Sequence, residues 1–303
     1  MALTSIKRLS DAQLVDRIRQ GVGAEPALID EYYRRCIPIY QDFLGRHWHT
    51  GWYEPGSGPP SPDDQERMIR VIAESAQLKP GMRVLDVGCG IGATVGWLSR
   101  ELGVEAVGLT PVPEQKHLSD LWLHGQVFAK PARIELGRAE HLPFPSGSFD
   151  AVVFFESLCH VEDRSAFFRE AFRVLRPGGR LAGEDWLRRA APDVTHTQAL
   201  LNQVQKLWAI PALASGEHYL QGMQEAGFHQ CEFHDLREYS ALERGFAVER
   251  SQQISLAEQI NESRDPLLIL ILEGLLALGH AMAAGCFTIG RFRSVRPADK
   301  TLR

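Results

Sequence analysis

Residues 153–161 read Val-Phe-Phe-Glu-Ser-Leu-Cys-His-Val. The apolar run Val152 to Phe155 fits a buried strand, and it ends on a carboxylate, Glu156, with Cys159 and His160 close behind. A buried carboxylate is costly unless it is paired or put to use. At a strand end, Glu156 could hydrogen-bond a neighbouring segment, cap a helix or serve acid–base chemistry. His160 is the second acid–base candidate, and a histidine satisfied by a backbone carbonyl is its plain alternative. Nothing in the sequence marks Cys159 as an activated thiol, so it reads as packing.

A second constellation lies upstream, Asp86-Val-Gly-Cys-Gly-Ile-Gly92. Glycines at 88, 90 and 92 allow a tight turn and a close backbone approach to a ligand. After a strand and before a helix, such a turn belongs at the carboxyl edge of an α/β sheet, where nucleotides bind. The G-x-G-x-G spacing departs from the G-x-G-x-x-G of NAD sites.

The elements that must position these groups alternate. Strands are expected at 83–88, 105–110, 133–139, 149–156, 179–186, 230–238 and 286–295. Helices are expected at 9–20, 24–46, 64–76, 92–102, 112–124, 164–175 and 217–226. This predicts an α/β, doubly wound, mostly parallel seven-stranded Rossmann-like sheet with an N-terminal helical arm and helical lid insertions. The expected divisions are an arm and loop (1–64), a nucleotide-binding core (65–186), a lid insertion (187–216), a core continuation (217–238), a helical insertion (239–284) and a last strand with tail (285–303).

Bulk properties narrow the class. The 303 residues carry a net charge of -5, with 44% hydrophobic and 23% charged residues. That suits a globular protein and gives no electrostatic reason to expect nucleic acid. Five scattered cysteines without a CxxC fit a reducing, cytoplasmic setting, and the N-terminus shows no secretory h-region. The stretch 267–285 is near the length of a membrane span, but Glu273 and His280 interrupt it. It reads as a buried helix, so no integral membrane span is expected. His47 and His49 form an H-x-H with no third ligand in register, and no metal site is assigned. The sequence is compatible with a homo-oligomer and a small-molecule substrate.

The stretch "VLDVGCGIG" (84–92) resembles the S-adenosylmethionine (SAM) loop of class I methyltransferases, and "RAEHLPF" and "VLRPGG" follow in the family's order. "GLTPVPEQ" (108–115) looks like the "GIT-x-SP-x-Q" pattern of the tocopherol, sterol and prenyl-diphosphate methyltransferase group. "YRRCIPIYQDFLGRHWHTGWYEP" (33–55) is similar to that group's N-terminal arm. The resemblance implies SAM as cofactor. It places Asp86, Gly88 and Gly90 near the methionine part and ribose, Ala139 and Glu140 at the adenine, and Tyr33, His49 and Thr50 near the cofactor from the arm. Thr110 stands where most class I enzymes carry an acid for the ribose, with Gln115 nearby.

The resemblance further implies C-methylation of an isoprenoid or prenyl diphosphate, with Glu156 as base. Trp52, Phe155, Trp186, Trp208, Tyr219 and Phe246 are candidates for an aromatic pocket. Arg34, Arg35, Arg46, Arg188 and Arg189 are candidates for a diphosphate, the one substrate that could bring Mg²⁺ with it. O- or N-methylation of a phenol, sugar or alkaloid, and a SAM-binding pericyclase, are the alternative readings.

Overall fold

The computed structural model describes residues 6, 8–20, 25–54, 61, 63–190, 194–239 and 250–298; Phe246, a pocket candidate, lies outside them. Seven strands form one sheet in the order β3-β2-β1-β4-β5-β7-β6. They are β1 (Arg83–Val87), β2 (Glu105–Thr110), β3 (Ala132–Leu136), β4 (Phe149–Phe155), β5 (Leu175–Arg188), β6 (His229–Asp235) and β7 (Phe287–Val295). Strands β1 to β5 pair in parallel, and β7 runs antiparallel to β5 and β6. Strand order reverses between β1 and β4, so their carboxyl ends open the crevice where ligands of such sheets bind.

The ends of the strands differ from the sequence expectation for local reasons. Strand β4 stops at Phe155 because Glu156 turns to φ 45, leaving the extended region. Strand β5 extends on both sides of the expected 179–186, since Leu175 pairs with Phe149 and the antiparallel partner β7 carries pairing out to Arg188. Strand β3 ends at Leu136, three residues early, where Gly137 and Arg138 enter a turn closed by the Arg138–His141 bridge.

Helices pack on both faces. The arm holds α1 (Asp11–Arg19) and α2 (Pro26–Leu44), and α3 (Asp63–Ser75) leads into the sheet. Ser10 and Gln13 form a capping box on α1, satisfying two amides that a helix start otherwise orphans. Then come α4 (Ala93–Leu102), α5 (Pro113–His124), α6 (Arg164–Val174), α7 (Val194–Leu207), α8 (Gly216–Glu225), α9 (Arg250–Glu262) and α10 (Pro266–Ala283). Asp163 and Ser215 cap α6 and α8 in the same side-chain-to-amide manner.

Two apolar clusters fill the faces of the sheet. One joins the arm, α3, α4, α7 and α10 over Val153, Phe155, Ala182 and Trp186. The other packs α6 and α8 under Val152, Phe154, Leu181 and Phe292. Each large side chain buried this way contributes roughly 1.5–3 kcal/mol. Helix α10 is the one helix among the described residues long and apolar enough to cross a membrane; 56% of it is buried inside the protein, and it packs on α7 and α1.

Candidate active site

The turn after β1 is built around a backbone that only glycine tolerates. Gly88 sits at φ 82, and a Cβ there would come within 2.3 Å of the Ser157 Cβ. Ser157 donates its hydroxyl to the Val87 carbonyl at 2.6 Å, and the Gly88 and Cys89 amides reach the Leu109 carbonyl at 2.9 and 3.0 Å. The ends of β1, β2 and β4 are thereby knitted together around a cleft.

That cleft encloses about 810 Å³, its open mouth included. Tyr33, His49, Asp86, Gly88, Gly90, Thr110, Gln115, Phe155, Glu156 and His160 all line it, ten of the residues singled out from sequence. An adjoining cleft of about 590 Å³ shares Gly88, Ser157 and His160 with it and is lined by Ala139 and Glu140.

Its polar groups are unusually exposed to need. Asp86 is buried and its Oδ2 has no partner; burial alone pushes its pKa up to about 7. The Thr110 hydroxyl donates to Gln115 Oε1 at 2.5 Å and accepts from the Val112 amide. The proton of Thr110 is committed, so the Gln115 amide group is the donor that this pair offers.

Glu156 holds a positive φ, which a side-chain-bearing residue adopts at a cost. Its Oε1 accepts the Thr50 backbone N–H at 2.8 Å. Burial raises its pKa to about 7, with Thr50 and the Trp186 indole pulling it back and Asp185 adding to the rise. Thr50 Oγ1 and Trp186 Nε1 are nonetheless buried and make no hydrogen bond of ordinary length.

His160 is committed elsewhere. Its Nε2 lies 2.6 Å from the Tyr33 hydroxyl, and burial lowers its pKa to about 4. Burial lowers His49 to about 3 and His47 to about 4, so all three imidazoles are neutral at pH 7. His49 packs on Phe155 with ring centroids 5.1 Å apart. Among the described residues no group of three or more His, Cys, Asp or Glu gathers as metal ligands do.

Several expected pocket residues are placed elsewhere. Tyr219 lies on the opposite face of the sheet, stacked on Phe292 and donating to Asp185, because α8 covers that face. Trp52 stacks on Tyr239 outside the cleft and donates to Glu54. Trp208 packs against Gly274 of α10. Trp186 sits behind the cleft wall, edge-on to Trp208 and Phe287. Three of the five candidate diphosphate arginines are spent on carboxylates: Arg34 on Glu31, Arg35 on Glu31 and Asp11, Arg189 on Asp235. Arg188 is exposed, and Arg46, which lies over Trp122, is the one of the five that lines the cleft. Sequence reasoning missed Trp48, Ser157 and Gln65; no motif marks them, since their roles depend on contacts across the chain.

A glycine turn without room for a side chain, an unpartnered buried aspartate below it and a long two-part cleft fit S-adenosylmethionine. Residues 85–183 match the model of the family described as "Methyltransferase domain". The chain is 31% identical over 230 residues to Methyltransferase GfsG of Streptomyces halstedii, covering 76% of this chain and 80% of that protein. It is 30% identical over 229 residues to the chloroplastic tocopherol O-methyltransferase of Arabidopsis thaliana, covering 70% of this chain and 64% of that protein. The fold is that of the cyclopropane synthase MmaA2 from Mycobacterium tuberculosis, with a TM-score of 0.74 at 18% identity over 91% of this chain and 98% of that one. The chain belongs to the class I SAM-dependent methyltransferases. It is an enzyme that uses S-adenosyl-L-methionine to methylate a small molecule.

Proposed function

We propose that this enzyme C-methylates an uncharged isoprenoid of specialised metabolism, with Glu156 taking the proton that the acceptor sheds, and that it works in a reducing cytoplasm, where its five free cysteines persist. When bound, SAM supplies an electrophilic methyl group. Asp86 accepts from its amino group, Gln115 with Thr110 serves the ribose hydroxyls, and Ala139 and Glu140 edge the adenine. Tyr33, His49 and Thr50 cover it from the arm, and Trp48, His49 and Phe155 exclude water.

The observation that carries the reading is Glu156: a carboxyl buried at the cleft, pinned by one amide, with its pKa raised to about 7. A general base works best with a pKa near the working pH. Carbon and hydroxyl acceptors must lose a proton; an amine needs no such partner. The engaged arginines favour an uncharged acceptor over a diphosphate, and hence no accompanying Mg²⁺.

A second reading, O-methylation of an apolar phenol, draws on the same carboxyl, because a phenol must also shed its proton to a base. The likeness to a tocopherol O-methyltransferase adds to it. The test is mass spectrometry after incubation with methyl-labelled SAM and a panel of polyprenols, prenyl diphosphates, tocopherol-like phenols and amines. Label on carbon in the polyprenols is expected. Label on phenol oxygen supports the second reading, and label confined to amines or diphosphates overturns both.

A further inference from the structure

The peptide joining His49 to Thr50 is held at both ends. Its N–H donates to Glu156 Oε1 at 2.8 Å. Its C=O accepts from Gln65 Nε2 of α3 at 3.1 Å, and the same amide nitrogen donates to the His47 carbonyl at 2.7 Å. A trans peptide is planar, with its C=O and N–H pointing opposite ways. Fixing the carbonyl on Gln65 therefore aims the amide at Glu156.

The surroundings make this bridge stiff. The Trp52 amide donates to the Asp64 carbonyl at 2.7 Å, one residue before Gln65. Gly51 lies so close that a Cβ would come within 2.5 Å of the Asp64 Cβ. The arm thus rides directly on the first turn of α3. A hydrogen bond to the carbonyl also polarises the peptide and strengthens its N–H as a donor.

We infer that Gln65 is a positioning residue that sets the proton affinity of Glu156 through the 49–50 peptide. The inference rests on Glu156 being the base. Gln65 does not line the cleft, and no motif singles it out. A donated N–H favours the charged form of a carboxyl, so losing its aim disfavours that form.

Gln65 hydrogen-bonds to none of the other titratable side chains around Glu156, meeting His47 and His49 only at their backbone carbonyls. Asp185 and Glu184 on β5 and Asp86 on β1 bring carboxyls to this region. Tyr33 and Tyr40 of α2, with Cys159, keep their protons because burial raises their pKa. His49 and His160 are neutral, and Arg46 is the cation lining the cleft among the described residues.

The spectroscopic part of the test needs neither cofactor nor acceptor. The Thr50 amide proton, read by ¹H–¹⁵N TROSY on the full chain across pH 5 to 9, reports the ionisation of the carboxyl it touches. The wild type is expected to show a midpoint near 7. Gln65→Met, which keeps the length and loses both donors, moves the midpoint up by about one pH unit. Gln65→Glu, which sets a carboxylate against two carbonyls, moves it at least as far, and Glu156→Gln abolishes the transition. A midpoint unchanged in both Gln65 variants, with the arm resonances otherwise native, overturns the inference. Turnover of Glu156→Gln separates the two readings. Wild-type turnover there sinks the base assignment, whereas a dead Glu156→Gln beside unmoved Gln65 variants sinks the role of Gln65 alone.

Discussion

Glu184 and Asp185 are chain neighbours on β5, both fully buried, and they point to opposite faces of the sheet. Asp185 faces α8. It accepts from the Tyr219 hydroxyl at 3.0 Å and from the Trp186 amide at 2.8 Å. Glu184 faces the arm and has no partner at either oxygen. Burial raises both pKa values, Asp185 to about 6 and Glu184 well above the usual range, where Glu156 adds to the rise. Asp185 is thus satisfied within the fold. The face toward the arm, which carries Glu156 and Trp186, leaves polar atoms open beside the cleft. Unsatisfied buried groups are few in native proteins, so where they cluster they point to something the fold is built to receive.

The largest way to break this contrast is Glu156→Gln. Losing a general base lowers turnover by about 10²–10⁴-fold. Affinity for S-adenosylhomocysteine, measured by calorimetry, should stay within a few-fold of wild type. Unchanged turnover would falsify the base reading.

Next comes Asp86→Asn. A hydrogen bond to a charged group is worth about 1.5–3 kcal/mol, so S-adenosylhomocysteine binding should weaken by roughly 10- to 100-fold. The fold should be kept, because Asp86 Oδ2 has no protein partner to lose. Full-affinity binding by the variant would move the amino-group site elsewhere.

On the α8 face, Tyr219→Phe strips Asp185 of its hydroxyl donor. Stability should fall by about 1–3 kcal/mol, read by urea unfolding. Turnover per folded molecule should stay near wild type. A loss of turnover with no loss of stability would return Tyr219 to the pocket.

The smallest effect is expected from Glu184→Gln at pH 5. Glu184 is protonated in the folded protein there, so a neutral isostere changes little. The sign reverses the usual acid case. The folded pKa lies above the unfolded value, so the native state holds the extra proton and stability drains away as pH rises beyond about 4.5. The variant lacks that loss and should gain on wild type between pH 5 and 9. Parallel curves would mean that Glu184 is partnered.

Much of the core was legible because local pattern and global fold agree. Strand β1, the turn after it and β2 follow from apolar runs punctuated by glycine. Glu156 stood out because a carboxylate ends a strand of apolar residues. Tyr219, Trp52 and Trp208 were misplaced for one reason: an aromatic at a helix or loop position gives no sign of which face its element will cover. The arginines failed likewise, since Glu31, Asp11 and Asp235 meet them only through helix spacing or tertiary contact.

The sequence by itself determined the alternating α/β order, the glycine turn that follows Asp86, and a carboxylate at the end of β4. These are properties of neighbours along the chain, where periodicity and backbone freedom act directly. Only the tertiary structure decided which of two adjacent β5 carboxyls is satisfied. It also decided that His160 is spent on Tyr33, and that a glutamine of α3 aims an arm peptide at Glu156. Those outcomes depend on side chains brought together from distant segments within about 3 Å, the range over which a hydrogen bond acts, and chain order does not encode such distances one residue at a time.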